Sequence, residues 1–171
     1  PETLPWMALK LVALPDAVAM PPGFTIELVQ NDETLNEWMQ TQHVANGGDW
    51  GGQDEGHIAF HARHSFNTDG PLLRYLGRLY GEPVGTAMLF LEQGGAGLYS
   101  VSVVPQVRRQ GLGTALSSVP LLHARALGCQ IATLMTSKDG YALYERLGFR
   151  EVCRTRLYVW QAAGVDEVTE P

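Results

Sequence analysis

The sequence predicts a single mixed α/β (α+β) fold: a central mixed sheet of six to seven strands flanked by about four helices. Three observations carry this. The second half alternates short apolar, β-branched runs with amphipathic helical stretches, an order that places parallel strands side by side. The first half offers two long strand-like runs joined by a tight glycine turn, the signature of an antiparallel hairpin. At 171 residues with 45% hydrophobic content, the chain is long enough to bury one proper core.

The elements follow in order. Trp6 to Leu14 reads as an apolar strand that runs into Pro15, Pro21 and Pro22. This divides the chain into an N-terminal strand and proline-rich linker (1–22), a main domain (23–161) and a C-terminal tail (162–171). The first piece is read equally as the tail of a preceding domain or as an arm packed on the chain's own sheet. Phe24 to Val29 alternates apolar and polar residues as a strand, and Asn31 or Asp32 caps a helix carrying Leu35, Trp38, Met39 and His43 on one face. Asn46 to Gly52 is a glycine-rich break, followed by a second helix over 54–65. Leu72 to Tyr80 and Glu82 to Glu92 form the hairpin across Gly81, and the turn Gln93 to Gly97 leads into a strand over 98–104. A helix over 111–127, a strand over 130–135, a helix over 138–147 and a strand over 154–160 complete the chain. Pro120 removes an internal hydrogen bond and predicts a kink in the long helix.

Composition excludes several classes of function. The formal net charge is −6, and the twelve basic residues form no stripe, which argues against nucleic acid. No apolar run approaches 18 residues and no secretory signal is recognisable, so the expectation is a cytoplasmic protein without a membrane span. Cys129 and Cys153 lack metal-ligand spacing and read as reduced thiols. His57, His61 and His64 share one helix face, but a Glu directly after the first is missing, so no metal site is expected.

The stretch Val101-Ser102-Val103-Val104-Pro105-Gln106-Val107-Arg108-Arg109-Gln110-Gly111-Leu112-Gly113-Thr114 is the most specific signal. An apolar strand stops at a proline, crosses a basic loop and enters a helix at Gly-x-Gly. The first N–H groups of a helix have no internal partner and lie at the positive end of its dipole, so such a turn suits a phosphate. Arg108 and Arg109 add cations beside it. Leu116 stands where the dinucleotide fingerprint needs a third glycine, and Thr114 stands where the ATP-binding loop needs Lys, so neither pattern fits. Downstream, Ser137 and Asp139 cap a helix containing Ala142-Leu143-Tyr144-Glu145-Arg146-Leu147-Gly148-Phe149.

Arg-x-x-Gly-x-Gly after Val-x-Pro, followed by Ala-Leu-Tyr and Gly-Phe, resembles the GCN5-related N-acetyltransferases. The resemblance spans roughly Phe24 to Trp160 and is specific between Tyr99 and Phe149. It implies the acyl-CoA N-acyltransferase fold and an acetyltransferase that moves an acetyl group from acetyl-CoA to a primary amine, with a small molecule favoured over a protein. It further implies that Arg108, Arg109, Gln110, Gly111, Leu112, Gly113 and Thr114 hold the coenzyme A pyrophosphate. Val101 and Val103 would pair with the pantetheine arm, the Val103 N–H would polarise the thioester carbonyl, and Tyr144 would protonate the departing thiolate. Ser137 stands where relatives often carry an asparagine that contacts the cofactor. Relatives often pair, so a homodimer is among the expectations.

The general base is the thinnest part of the reading. Many relatives carry a glutamate before the phosphate loop, whereas this chain has Gly94-Gly95-Ala96-Gly97-Leu98-Tyr99. Glu92, Asp49, Asp54, Glu55, His57 or a water chain ending on the backbone of Val101 to Val103 are the candidates. Trp50, an aromatic among glycines, joins Asp49, Asp54 and Glu55 as a substrate-binding cluster that favours a cationic amine. Two alternatives stand beside the acetyltransferase: a non-catalytic acyl-CoA-binding domain, and a transferase for longer acyl groups or hydroxyl acceptors.

Overall fold

The computed structural model describes residues 3–48, 70–156 and 158, and the fold below is that of these residues. Seven strands form one mixed sheet: β1 (Thr3–Lys10), β2 (Phe24–Leu28), β3 (Leu72–Leu79), β4 (Glu82–Glu92), β5 (Gly95–Val103), β6 (Ile131–Met135) and β7 (Arg150–Arg156), in the spatial order β2-β3-β4-β5-β6-β1-β7. Three α-helices are described: α1 (Asp32–Ala45), α2 (Leu112–Ala126) and α3 (Lys138–Arg146). The second helix expected over 54–65 lies outside the described residues.

Sequence chemistry accounts for each helix boundary. Asn31 caps α1 by accepting from the Thr34 N–H at 2.8 Å, and the Thr34 hydroxyl turns back toward the cap, giving a reciprocal capping pair. Ser137 does the same for α3 through the Gly140 N–H at 3.3 Å, and Gly148, at φ +95°, lets the chain leave α3 in a left-handed turn. Helix α2 runs through Pro120 without a break and buries that proline in its core-facing side.

The two faces of the sheet carry different layers. On one, Leu112, Ala115, Leu116, Leu121 and Ala124 of α2 pack with Leu73, Tyr75, Leu89, Leu98 and Leu134 in the main core. On the other, Leu35, Trp38 and Met39 of α1 pack with Val29 and Leu76 in a smaller cluster. Alternation along β3 is what separates them, because successive side chains leave a strand on opposite faces. Arg78 rivets the second layer: its Nε donates to Glu27 at 2.6 Å, and its remaining N–H groups reach Glu37 of α1 and the Gly81 carbonyl. Helix α2 lies very close to the sheet, since a Cβ on Gly85 would stand 2.5 Å from Leu116 Cδ1. Glycine at 85 is a packing requirement.

Three expectations about elements change. The strand expected over 6–14 ends at Lys10, and Leu11–Ala13 closes as a single 3-10 turn ahead of the prolines. The last strand begins at Arg150, directly after Phe149, rather than at 154. Its charged residues hide its strand character, because β7 is exposed along its whole length and needs no apolar alternation. Parallel pairing is confined to β5 and β6. Strand β1 lies between β6 and β7, antiparallel to both, so the last two strands are not neighbours.

Candidate active site

Strands β5 and β6 pair only at Gly95–Gly97 against Ile131–Thr133 and then part company. From Leu98 onward, the edge of β5 that faces away from β4 has no partner strand among the described residues. Which main-chain groups point into that opening follows from the antiparallel register. The Val104 N–H donates to the Val84 carbonyl at 2.9 Å, making Val84 and Val104 a hydrogen-bonded pair. Gly85 and Val103 are the next pair along, so the N–H and C=O of Val103 must turn away from β4. The carbonyl is found there, accepting from Arg108 Nε at 2.8 Å. Val101, two residues back, shares the same edge.

A bulge makes this possible. The β4–β5 register shifts between Thr86 and Met88, Ser100 sits at φ +50°, and the Thr86 hydroxyl, fully buried, donates to the Ser100 carbonyl at 2.9 Å. Opposite the bulge, the Ala87 carbonyl accepts from the Trp38 indole at 3.2 Å. A non-glycine residue held in the left-handed region is strained and must be fixed by its surroundings. The bulge bends β5 away from its straight course before Val101.

Beyond β5 the chain makes a 3-10 turn, Pro105–Val107, then Arg109 at φ +67°, then Gly111 at φ +85° as the N-cap of α2. Two left-handed positions within three residues turn the chain sharply into α2. No side chain caps α2. The first acceptor inside it is the Gly111 carbonyl, which receives Thr114 N–H at 3.1 Å and Ala115 N–H at 3.2 Å, leaving the Leu112 and Gly113 N–H groups at the mouth. Leu112 offers only its N–H, because its side chain is 1% exposed in the core. Arg109, Gln110 and Thr114 are exposed around the mouth.

Arg108 occupies a different place from its neighbours. Beyond Val103, its guanidinium donates to the Ala45 carbonyl at the end of α1 at 2.7 Å. It therefore ties the end of β5, the loop and the end of α1 together, with two of its donors engaged on main chain. Ser137 is likewise engaged, as the cap of α3.

Tyr144, on α3, is half-buried and packs edge-on against Phe149, ring centroids 5.7 Å apart. Burial pushes its phenol above the ordinary tyrosine value, while a hydrogen bond with Ser117 pulls the other way. Ser117 itself is fully buried on α2, its hydroxyl donating to the Gly113 carbonyl at 2.8 Å. Helices α2 and α3 meet at this point: a Cβ on Gly113 would lie 3.3 Å from Leu143 Cδ1. Sequence reading missed Ser117, which with Ser118 is a buried polar residue of α2. It also missed Thr136, buried at the end of β6, whose hydroxyl would stand 2.4 Å from a Cβ on Gly140.

Among the carboxylates, Glu92 pairs with Gly95 at the far end of β5, eight residues from Val103. At about 3.3 Å per residue it stands some ~25 Å away. That removes it as a base. Asp49, Trp50, Asp54, Glu55 and His57 lie outside the described residues. Among the described residues no group of three metal-ligating side chains is assembled, and no helix is long and apolar enough to cross a membrane.

A mixed sheet that opens beside a strand feeding an anion-binding helix terminus defines the acyl-CoA N-acyltransferase fold. The chain belongs to the acetyltransferase (GNAT) family, whose model matches residues 32–149. Among solved structures, a GCN5-related N-acetyltransferase from Sphaerobacter thermophilus is similar at TM-score 0.70 and 20% identity, over 89% of this chain and 49% of its own. One from Kribbella flavida gives 0.65 and 24%, over 88% and 55%. Glucosamine-6-phosphate N-acetyltransferase from Arabidopsis thaliana gives 0.63 and 13%, over 80% and 97%. The chain thus spans about half the length of the first structures it matches. No curated protein sequence matches it.

Proposed function

We propose that this chain transfers an acetyl group from acetyl-CoA to a primary amine, by direct attack of the amine on the thioester, and that the amine belongs to a small molecule. The observation that carries the reading is the edge of β5, unpartnered among the described residues, followed through one 3-10 turn and a short loop by a helix terminus that no side chain caps. These residues fit coenzyme A. The turn from Arg109 to Gly113 suits its pyrophosphate, with the exposed Arg109 as a cation beside it, and the main chain of Val101 and Val103 suits its pantetheine amides as an added strand would. Gly111 and Gly113 leave room for close approach.

Acetyl-CoA supplies the activated acyl group. The chain's own work is then positional and electrostatic. The outward Val103 N–H stands to donate to the thioester oxygen as negative charge develops there. Tyr144 stands to protonate the leaving sulfur: its buried phenol stays neutral throughout the physiological range and so always carries the proton. Arg108 holds Val103 in place through its carbonyl. With Glu92 too distant, the amine's proton is assigned to water or to the acidic cluster of Asp49, Asp54 and Glu55, whose charge also favours a cationic acceptor. The net charge of −6 acts in the same direction.

Two structurally similar acetyltransferases are named for a sugar phosphate acceptor in one case and a ribosomal protein in the other. The small-molecule reading rests on the acidic cluster. The test is a calorimetric titration with coenzyme A followed by thiol release across a panel of amines. Saturable heat and amine-dependent release support the reading. Heat without release identifies a binding domain, and neither overturns it.

A further inference from the structure

Strands β5 and β6 stop pairing at Gly97 and Thr133, and the next residues on the same face of each strand are Tyr99 and Met135. Both belong to the face that carries α1. Tyr99 pairs across the sheet with Met88, which packs against the α1 cluster, whereas the neighbouring Leu98 and Leu134 point into the main core beneath α2. The two side chains therefore flank the opening at one level, and they are 38% and 42% exposed. A Cβ on Gly97 would stand 2.5 Å from the Tyr99 ring, so the glycine is what lets that ring lie back over the sheet. Behind it the same face continues through Phe90, 39% exposed and opposite Gly97, and through the half-buried Trp6, which pairs with Met135. Toward Val103 the lining turns polar, where Ser102 Oγ donates to Asn46 Oδ1 at the end of α1 at 3.5 Å.

We infer that the acceptor taken by this site is a primary amine whose body is apolar and aromatic, and that Tyr99 and Met135 are the residues that select it. The inference rests on the acetyl transfer proposed above. Sterics decide the side from which the acceptor comes. Helices α2 and α3, with Leu112, Leu116 and Tyr144, pack into the main core on the other face of the sheet, so the amine reaches the thioester from the face of α1. Entering there, the amine meets polar groups near Val103, and the rest of the molecule meets a floor of aromatic and thioether side chains. Tyr99 stands four residues before Val103, at most ~13 Å along the strand, a span that one small molecule with a short arm covers. Covering that floor with a ring removes apolar surface of both partners from water and places ring against ring and sulfur against ring. A polar or doubly charged amine leaves the same floor in water and gains nothing from it.

The test compares phenylalkylamines of increasing chain length with diaminoalkanes of the same lengths on the intact chain. It is read by thiol release from acetyl-CoA and by calorimetric titration of each amine into the chain saturated with coenzyme A. The best phenylalkylamine is expected to exceed its diamine about tenfold in kcat/KM and in affinity, the upper effect of one aromatic contact. Tyr99→Ala should remove that preference by raising KM for the phenylalkylamine rather than by lowering kcat. Tyr99→Phe, which keeps the ring, should retain it, and Met135→Ser should weaken it in the same direction. Melting curves check that the variants keep the fold. Diamines used as well as phenylalkylamines, or equal losses for both classes in Tyr99→Ala, overturn the inference and leave acetyl transfer standing. Sedimentation as a dimer that both Tyr99→Ala and Met135→Ser dissociate makes this face a contact between two copies and overturns it as well. Absence of thiol release with every amine overturns acetyl transfer itself, and this inference with it.

Discussion

At the scale of single residues, Tyr144 shows how environment would shape the proton donor proposed for this site. A free phenol titrates near 10, within reach of an alkyl thiol, so it is suited to protonate a thiolate. Burial raises it further. The sign is decisive for the pH profile: a neutral acid whose pKa is raised stays protonated past the ordinary tyrosine range, so Tyr144 contributes no falling limb between about pH 6 and 9. The profile of kcat/KM should instead rise with pH as the acceptor amine deprotonates. Replacing Tyr144 with Phe should lower kcat by about 100-fold, the lower range for a general acid, with coenzyme A affinity within twofold of wild type. A wild-type kcat in that variant, or an alkaline limb at pH 8 that disappears with it, removes Tyr144 from the proposed chemistry.

At the scale of elements, the junction of β5, the following loop and α2 is where sequence and structure can be compared most closely. The strand-to-helix turn from Val101 to Thr114 was legible because such a turn depends on local features: a strand end, a glycine that accepts φ +85°, and absent side-chain capping. The role of Arg108 was not. Counted as a cation beside the phosphate, it instead reaches Ala45, which is 63 residues away in sequence, and no local pattern foretells that contact. Strand β7 was misplaced for a related reason, since an exposed edge strand shows no apolar alternation. The buried Ser117 and Ser118 carried no local signal, because a serine in a helix usually bonds back to its own helix, as the Ser117 contact with Gly113 does. Arg108→Ala should therefore damage geometry more than charge. The loss of two hydrogen bonds to main-chain carbonyls should destabilise the fold by about 2 kcal/mol. Arg109→Ala should leave thermal stability unchanged while weakening coenzyme A binding. Paired melting curves and calorimetric titrations separate the two, and identical effects from both substitutions would refute the distinction drawn between them.

At the scale of the whole molecule, the N-terminal strand determines whether the site can exist. Strand β1 is the only partner of β7 among the described residues, and it covers the edge of β6 from Ile131 to Met135. Met7, Leu9, Leu11 and Leu14 are all within 5% of full burial in the main core. The Leu11 N–H donates to Gln130 at 2.8 Å, and the Thr136 N–H to Pro5 at 3.1 Å, so both ends of β6 are stitched to this segment. The position of β6 in turn sets where β5 loses its partner, and α3 with Tyr144 hangs from the end of β6. A segment that reads in isolation equally as the tail of a preceding domain or as an arm on the chain's own sheet is thus paired between β6 and β7, in support of the opening. Met7→Ala should destabilise the fold by about 3 kcal/mol, the range for emptying a large fully buried side chain. Removing residues 1–14 should abolish the cooperative melt and coenzyme A binding together, since it strips β7 of its ladder and exposes the edge of β6. A truncated chain that melts within a few degrees of the full one, with coenzyme A affinity intact, would show that β6 holds the opening without β1, and the dependence of the site on the N-terminal strand would be lost.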